Sequence, residues 1–195
     1  MLSIEELTLE IDNKVLCKNL SVSFLGGAIV NIYGENGCGK TSLLKVLAGL
    51  KEFDQGRVIY DVPNPLEEIR YLGHKNALKE YFTVVENLEF WAELSGNRML
   101  IPAALSYFKL DDLAERKVCD LSAGQRRLVG LARLLVTPAK IWLLDEPFSN
   151  LDDYNLEKVK QLIIGKVNDG GLTVISSHKK VDFLDVVNLP LAEFN

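Results

Sequence analysis

Ile29-Val30-Asn31-Ile32-Tyr33-Gly34-Glu35-Asn36-Gly37-Cys38-Gly39-Lys40-Thr41-Ser42 decides the reading of this chain. An apolar run from Ala28 to Tyr33 leads into G-x-x-x-x-G-K-T, and Leu43, Leu44, Leu47 and Leu50 follow at helical spacing. Glycines let the backbone turn tightly, so that successive N–H groups point inward at phosphate oxygens. The helix that follows sets its positive end on the same anion. Lys40 can reach terminal phosphates, and the Thr41 hydroxyl can ligate Mg²⁺. The stretch therefore predicts a strand, a phosphate-cradling loop over Gly34, Glu35, Asn36, Gly37, Cys38, Gly39, Lys40, Thr41 and Ser42, and a helix. A glycine turn that merely precedes a lysine would account for neither flank.

Upstream, Ile4, Leu7, Leu9 and Ile11 mark one alternating stretch and Leu20-Ser21-Val22-Ser23-Phe24 another. Both predict antiparallel, half-exposed strands joined by a turn near Asp12-Asn13. Downstream, Arg57–Tyr60 and Ile69–Gly73 read as strands, with Pro63 and Pro65 between them. From Thr83 to Leu135 the period becomes helical. Thr83 and Glu86 form a T-x-x-E capping box, with Val84, Leu88, Trp91 and Leu94 on one face and Phe90 and Trp91 read as packing residues. Pro102 opens a second helix to Phe108, and Leu110–Ala114 adds a turn. Ser122 and Gln125 make a second capping box in Leu121-Ser122-Ala123-Gly124-Gln125. A helix start with bare N–H groups beside a glycine can hold an anion, although good capping alone explains it equally well.

Ile141–Leu144 is continuously apolar, as a parallel strand covered on both faces requires, and it ends in Asp145-Glu146-Pro147. An amphipathic helix from Asp152 to about Asn168 follows, then a buried strand, Leu172–Ile175, ending in Ser176-Ser177-His178. Phe183–Phe194 can supply a short helix and a terminal strand. Three apolar runs thus end in chemistry. Strands alternating with helices imply a parallel sheet whose carboxyl ends share one edge, which makes the Lys40 loop, Asp145-Glu146 and His178 neighbours. There Asp145 can share a Mg²⁺ with Thr41, Glu146 can orient an attacking water, and His178 can bond the terminal phosphate or that water.

Bulk properties narrow the alternatives. With 195 residues, 48% of them apolar, the chain can bury one sizeable core or a core with a smaller lobe. Net charge is −5 and no block of like charge exceeds a pair, so no basic face invites nucleic acid; the Arg126-Arg127 and Lys179-Lys180 pairs read as solvated surface. Three scattered cysteines without C-x-x-C spacing fit reduced thiols in a cytosolic protein. No apolar run is long enough to span a bilayer, so any membrane role must come through partners.

The order of motifs resembles the ATP-binding subunit of ABC transporters over nearly the whole chain. Gly34–Thr41 is similar to the Walker A motif and Ile141–Asp145 to the Walker B strand. Glu146 matches the catalytic carboxylate, Leu121, Ser122, Ala123, Gly124 and Gln125 the signature, Ser149–Asp152 the D-loop and His178 the switch histidine. The resemblance implies an α/β fold: a P-loop NTPase (RecA-like) parallel sheet core with an N-terminal antiparallel β subdomain, over about 1–74 and 136–195, and a helical subdomain over about 75–135. It implies ATP and Mg²⁺ as cofactors, Thr41 and Asp145 as metal ligands, and a head-to-tail homodimer in which the signature closes over the partner's ATP. It also implies integral membrane subunits docked on the helical subdomain, and a cytoplasmic chain peripheral to the inner membrane. Within the family the similarity is strongest to the cytochrome c maturation subgroup, whose task is haem export or release of a haem chaperone. Tyr71-Leu72-Gly73-His74, Glu86-Asn87-Leu88 and Arg126-Arg127 after LSAGQ carry that likeness.

Two positions depart from the pattern. Lys75 stands where the family has its Q-loop glutamine, and a lysine accepts no hydrogen bond. Either Asn76 takes over or hydrolysis is slow. No aromatic residue lies between Leu9 and Leu20 to stack on adenine; Ile11 holds that place. These departures leave open a nucleotide-gated binding module with little turnover, or a motor for a different exporter.

Overall fold

In the computed structural model, which describes residues 1–11, 14–183 and 185–194, two sheets carry the first body of the chain. β1 (Leu2–Ile11) and β2 (Lys14–Phe24) pair antiparallel, and β4 (Gln55–Tyr60) pairs antiparallel on the other side of β1. The turn expected near Asp12-Asn13 lies outside the described residues. Ile4 and Leu7 are three apart, a spacing that would put them on opposite faces of a regular strand. Both are nevertheless buried, because register slips between them and Glu6 takes φ 50°. Gly56 faces this bulge at φ 98°, where a Cβ would lie 2.5 Å from the Glu5 carbonyl oxygen.

The second sheet holds β3 (Ile29–Tyr33), β5 (Ile69–Leu72), β6 (Ile141–Leu144), β7 (Leu172–Ser177) and β8 (Val186–Pro190) in the order β5-β6-β7-β3-β8. β3 runs parallel to β7 and β8, and β6 parallel to β7. Alternate residues Val30, Ile32, Ile141, Leu143, Leu172 and Val174 face one core, shared with Leu43, Leu44 and Leu47 of α1 (Lys40–Leu47) and with Leu2, Leu7, Leu9 and Leu20 of the antiparallel sheet. Each of these fully buried side chains contributes about 1.5–3 kcal/mol. Tyr60 closes the floor: its hydroxyl donates to the Leu47 carbonyl at the end of α1, and burial pushes its pKa to about 12.

Three details of the fold differ from the pattern reading. β2 starts at Lys14 rather than Leu20, because Val15-Leu16-Cys17 is an unbroken apolar run that alternation does not flag. A short helix, α2 (Pro65–Glu68), occupies the stretch read as an interruption; Pro65 suits a first helical turn and Glu67 and Glu68 suit its positive end. At the C-terminal end the strand, β8, comes before the helical turn Leu191–Phe194. Pro190 is accommodated because β8 is an edge strand.

The chain divides into two compact units. One comprises Met1–Tyr71, Ala139–Glu146 and Leu162–Asn195, the other Leu72–Pro138 and Pro147–Gln161. In the second, α3 (Val84–Ser95) and α4 (Ile101–Tyr107) pack on α5 (Ala123–Val136). α6 (Asp153–Asn168) begins in this unit. Both capping boxes form. Glu86 N–H donates to Thr83 Oγ1 (3.2 Å) and Thr83 N–H to Glu86 Oε2 (2.7 Å). Gln125 N–H donates to Ser122 Oγ (3.1 Å) and Ser122 N–H to Gln125 Oε1 (2.9 Å). Each such cap contributes about 1 kcal/mol. Trp91 lies under the Arg133 guanidinium at 4.3 Å and is half-buried in the unit, whereas Phe90, edge-on to Trp91 and 3.7 Å from the Lys79 ammonium, stays exposed.

Candidate functional site

β3 delivers the chain into Gly34, and α1 starts at Lys40 after Gly39 in left-handed conformation, φ 108°. A side chain at Gly39 is excluded twice, by that φ and by Leu16, whose Cβ would lie 2.9 Å from a new Cβ. Lys40 is only 5% exposed. Its ammonium donates to the carbonyls of Gly34 (2.7 Å) and Glu35 (2.9 Å), which hold the charge against the loop. Above it opens a cavity of about 490 Å³ bounded by Asn36, Gly37 and Gly39 to Ser42, by Glu146, and by the aliphatic stems of Ile11, Lys14 and Leu16.

The other two strand ends meet this loop within the same unit. Thr41 Oγ1 donates to the buried Asp145 carboxylate, 2.9 Å from Oδ2 and 3.1 Å from Oδ1. Ser176 Oγ donates to Asp145 Oδ1 at 2.7 Å and accepts from Glu146 N–H at 3.0 Å. Glu146 sits at φ 50°, a left-handed conformation that costs a non-glycine residue about 1 kcal/mol or more and is held by the Ser176 bond. Its Oε1 lies 3.1 Å from His178 Nε2. Ser176 is the residue pattern reading missed. The serine run at the end of a buried strand was its one sequence signal.

In the second unit, Ser122, Ala123, Gly124 and Gln125 line a cavity of about 740 Å³ together with Asn150, Leu151 and Asp152. Leu121, which precedes them, is buried. Gly124 is needed for close approach, since a Cβ there would lie 2.6 Å from the Asn150 carbonyl oxygen. Asp152 accepts from Asn155 N–H at 2.8 Å and so caps α6. Lys109 and Tyr154 line the same cavity, with the ammonium 4.3 Å from the ring centroid; neither stood out in the sequence.

Two expectations about this unit are corrected. Arg127 is 3% exposed, not solvated surface. Its guanidinium donates to the carbonyls of Gly73 (3.1 Å) and Pro147 (3.5 Å) and to Asn76 Oδ1 (2.6 Å). Asn76 is thereby committed: its side chain also packs on Gly130, and its carbonyl accepts from Arg133. Substitution of Asn76 for the missing glutamine is therefore not supported. Lys75 sits in the same turn, immediately before it.

Among the described residues no helix is long and apolar enough to cross a membrane, and no three His, Cys, Asp or Glu side chains form a metal cluster. A divalent ion at Thr41 and Asp145 would find two hard oxygen donors, the set Mg²⁺ takes when phosphate and water complete its shell.

The ABC transporter family model matches residues 17–149. The cytochrome c biogenesis ATP-binding export protein CcmA of Rickettsia bellii is 42% identical over 184 residues, 91% of this chain and 93% of that protein. Among solved structures, a putative ABC transporter ATP-binding protein from Pyrococcus furiosus superposes with a TM-score of 0.87 at 30% identity, over 99% and 98% of the two chains. A dimeric ATP-binding cassette in a post-hydrolysis state with ADP and Pi superposes at 0.82 with 22% identity, over 98% and 95%, and so shares the fold. With the lysine-filled loop, the Thr41–Asp145 pair and the Glu146–His178 pair at one sheet edge, the chain belongs to the ABC transporter family as an ATP-binding, ATP-hydrolysing subunit.

Proposed function

We propose that this subunit drives a membrane export complex serving cytochrome c biogenesis, moving haem or releasing a haem chaperone. The likeness to the Rickettsia bellii export protein supports the task, and the continuous chain of bonds Thr41–Asp145–Ser176–Glu146–His178 supports the chemistry. Lys40 and the loop N–H groups grip the β- and γ-phosphates. Thr41 and Asp145 hold Mg²⁺, which neutralises charge on the phosphates. Glu146 polarises the attacking water, and His178 orients Glu146 and the γ-phosphate. Ser122–Gln125 of a second copy closes over the nucleotide head to tail, its capped N-terminus facing the γ-phosphate. Hydrolysis removes that contact and lets the copies part, so phosphate chemistry becomes motion. Membrane subunits dock on the helical unit, which places the chain at the cytoplasmic face of the inner membrane.

Purification of the complex from membranes, with identification of the companion chains, tests the task. Recovery with polytopic subunits and a haem-handling protein is the expected result; recovery with the permease of another solute would transfer the motor to that exporter. The engaged Asn76 favours a second reading, in which Lys75 leaves the chain a slow, nucleotide-gated clamp. On either reading Lys75→Gln is expected to raise steady-state ATP turnover several-fold, and an unchanged or lower rate would remove Lys75 as the cause of slowness. Because the described residues that line the nucleotide cavity beside the loop and Glu146 are Ile11, Lys14 and Leu16, none of them aromatic, purines are held by contact area rather than by stacking. Affinities for ATP and GTP within about threefold of each other are expected by competition, a spread of less than about 1 kcal/mol.

A further inference from the structure

Asn31 sits at 0% exposure in the middle of β3, a position where an unbonded amide would be costly. Its side-chain hydrogen bonds are directed at one place. Nδ2 donates to the Lys179 carbonyl (3.1 Å) and to Asn188 Oδ1 (2.8 Å), while Oδ1 accepts from Ser177 Oγ (2.8 Å). Asn188 is its direct register partner on β8. The Asn188 amide in turn takes both backbone groups of Val181: Oδ1 accepts from Val181 N–H and Nδ2 donates to the Val181 carbonyl, each at 3.1 Å. Residues 178–183 belong to no strand or helix, so no ladder of their own fixes them. Two neighbouring side-chain amides therefore grip the backbone immediately after His178, whose Nε2 lies 3.1 Å from Glu146. Glu146 is fixed separately through Ser176.

We propose that Asn31 and Asn188 are positioning residues for hydrolysis: an amide clamp across β3 and β8 that sets His178 against Glu146. The proposal rests on the reading of Glu146 and His178 as the hydrolytic pair. The clamp touches no nucleotide. Its loss is felt in the chemical step and not in binding.

The test uses the full chain carrying Asn31→Leu with Asn188→Leu, which replaces both amides by apolar groups of similar size and leaves the sheet packed. ATP affinity and KM are expected to stay within about twofold, while kcat falls about 10- to 100-fold, the scale on which misplacement of a reacting group by about 1 Å is felt. In a His178→Ala background the same pair of substitutions is expected to lower kcat no further, a non-additivity that general destabilisation does not give. Unchanged kcat, or an equal fall with and without His178, overturns the clamp while leaving the hydrolytic reading intact. Wild-type turnover in His178→Ala alone overturns that reading, and the clamp with it. Should the double substitution fail to fold, Asn188→Asp keeps the acceptor for Val181 N–H and replaces the donor to the Val181 carbonyl by a negatively charged acceptor. An intermediate fall in kcat at unchanged KM then supports the clamp, and no fall overturns it.

Discussion

Lys40→Ala is expected to abolish ATP binding at concentrations that saturate the native chain, with a folded protein left behind. The ammonium lies between the Gly34 and Glu35 carbonyls, and under the proposed function it is the group that meets the phosphate oxygens. Charge-assisted hydrogen bonds contribute about 1.5–3 kcal/mol each, so losing two such bonds from Lys40 to phosphate oxygens, as the proposed function has it, corresponds to a Kd weaker by about 10²- to 10⁴-fold. The cost to the empty fold is small, because the two carbonyls released sit in half-exposed loop that water reaches. Thermal unfolding separates the two effects. Without nucleotide, Tm should stay within a few degrees of the native value. The stabilisation that saturating ATP gives the native chain, about 3 kcal/mol at a hundredfold excess over Kd, should vanish. An undiminished ATP-induced shift in Lys40→Ala would remove the loop from nucleotide binding.

Glu146→Gln is expected to lower kcat by about 10²- to 10⁴-fold, the range over which a positioned general base acts, with little change in KM. The substitution is isosteric and keeps the backbone at φ 50°, the Ser176 bond and a polar oxygen near His178. It removes only the negative charge that, under the proposed function, polarises the attacking water. With ATP and Mg²⁺ the variant should accumulate as an ATP-bound dimer on size-exclusion chromatography, whereas the native chain should return to its resting state as ATP is consumed. A native chain whose turnover is already as low as that of Glu146→Gln would favour the nucleotide-gated clamp over the motor.

Residues whose role follows from local backbone chemistry were readable in advance. The Gly34–Thr41 loop, both capping boxes and the covered strands Ile141–Leu144 and Leu172–Ile175 all declare themselves through short-range pattern, and parallel topology then places Asp145, Glu146 and His178 beside Lys40. Residues whose role depends on long-range pairing did not declare themselves. Ser176 gains its meaning only because β6 lies next to β7, and Asn31 only because β8 brings Asn188 alongside. Arg127 looked like half of a solvated pair, yet α5 turns it inward to three acceptors, one of which, Asn76, was a candidate for another task. The bulge at Glu6 was written as the odd spacing of Ile4 and Leu7, but only the register on β2 says where the extra residue goes.

The order β5-β6-β7-β3-β8 has a consequence for how the chain is made. On a ribosome, β1, β2 and β4 emerge early and can pair among themselves, while β3 must wait for both of its neighbours, β7 and β8. At about 5–20 residues per second that interval is on the order of ten seconds. Throughout it Ile29–Tyr33 is an apolar segment with unpaired backbone on both sides, the kind of segment that chaperones shield. The nascent chain thus carries its glycine-rich Gly34–Thr41 loop long before it owns the scaffold that holds the loop in shape. A stop codon placed just ahead of Val186 would leave one flank of β3 open permanently, and aggregation rather than a milder motor would be the outcome.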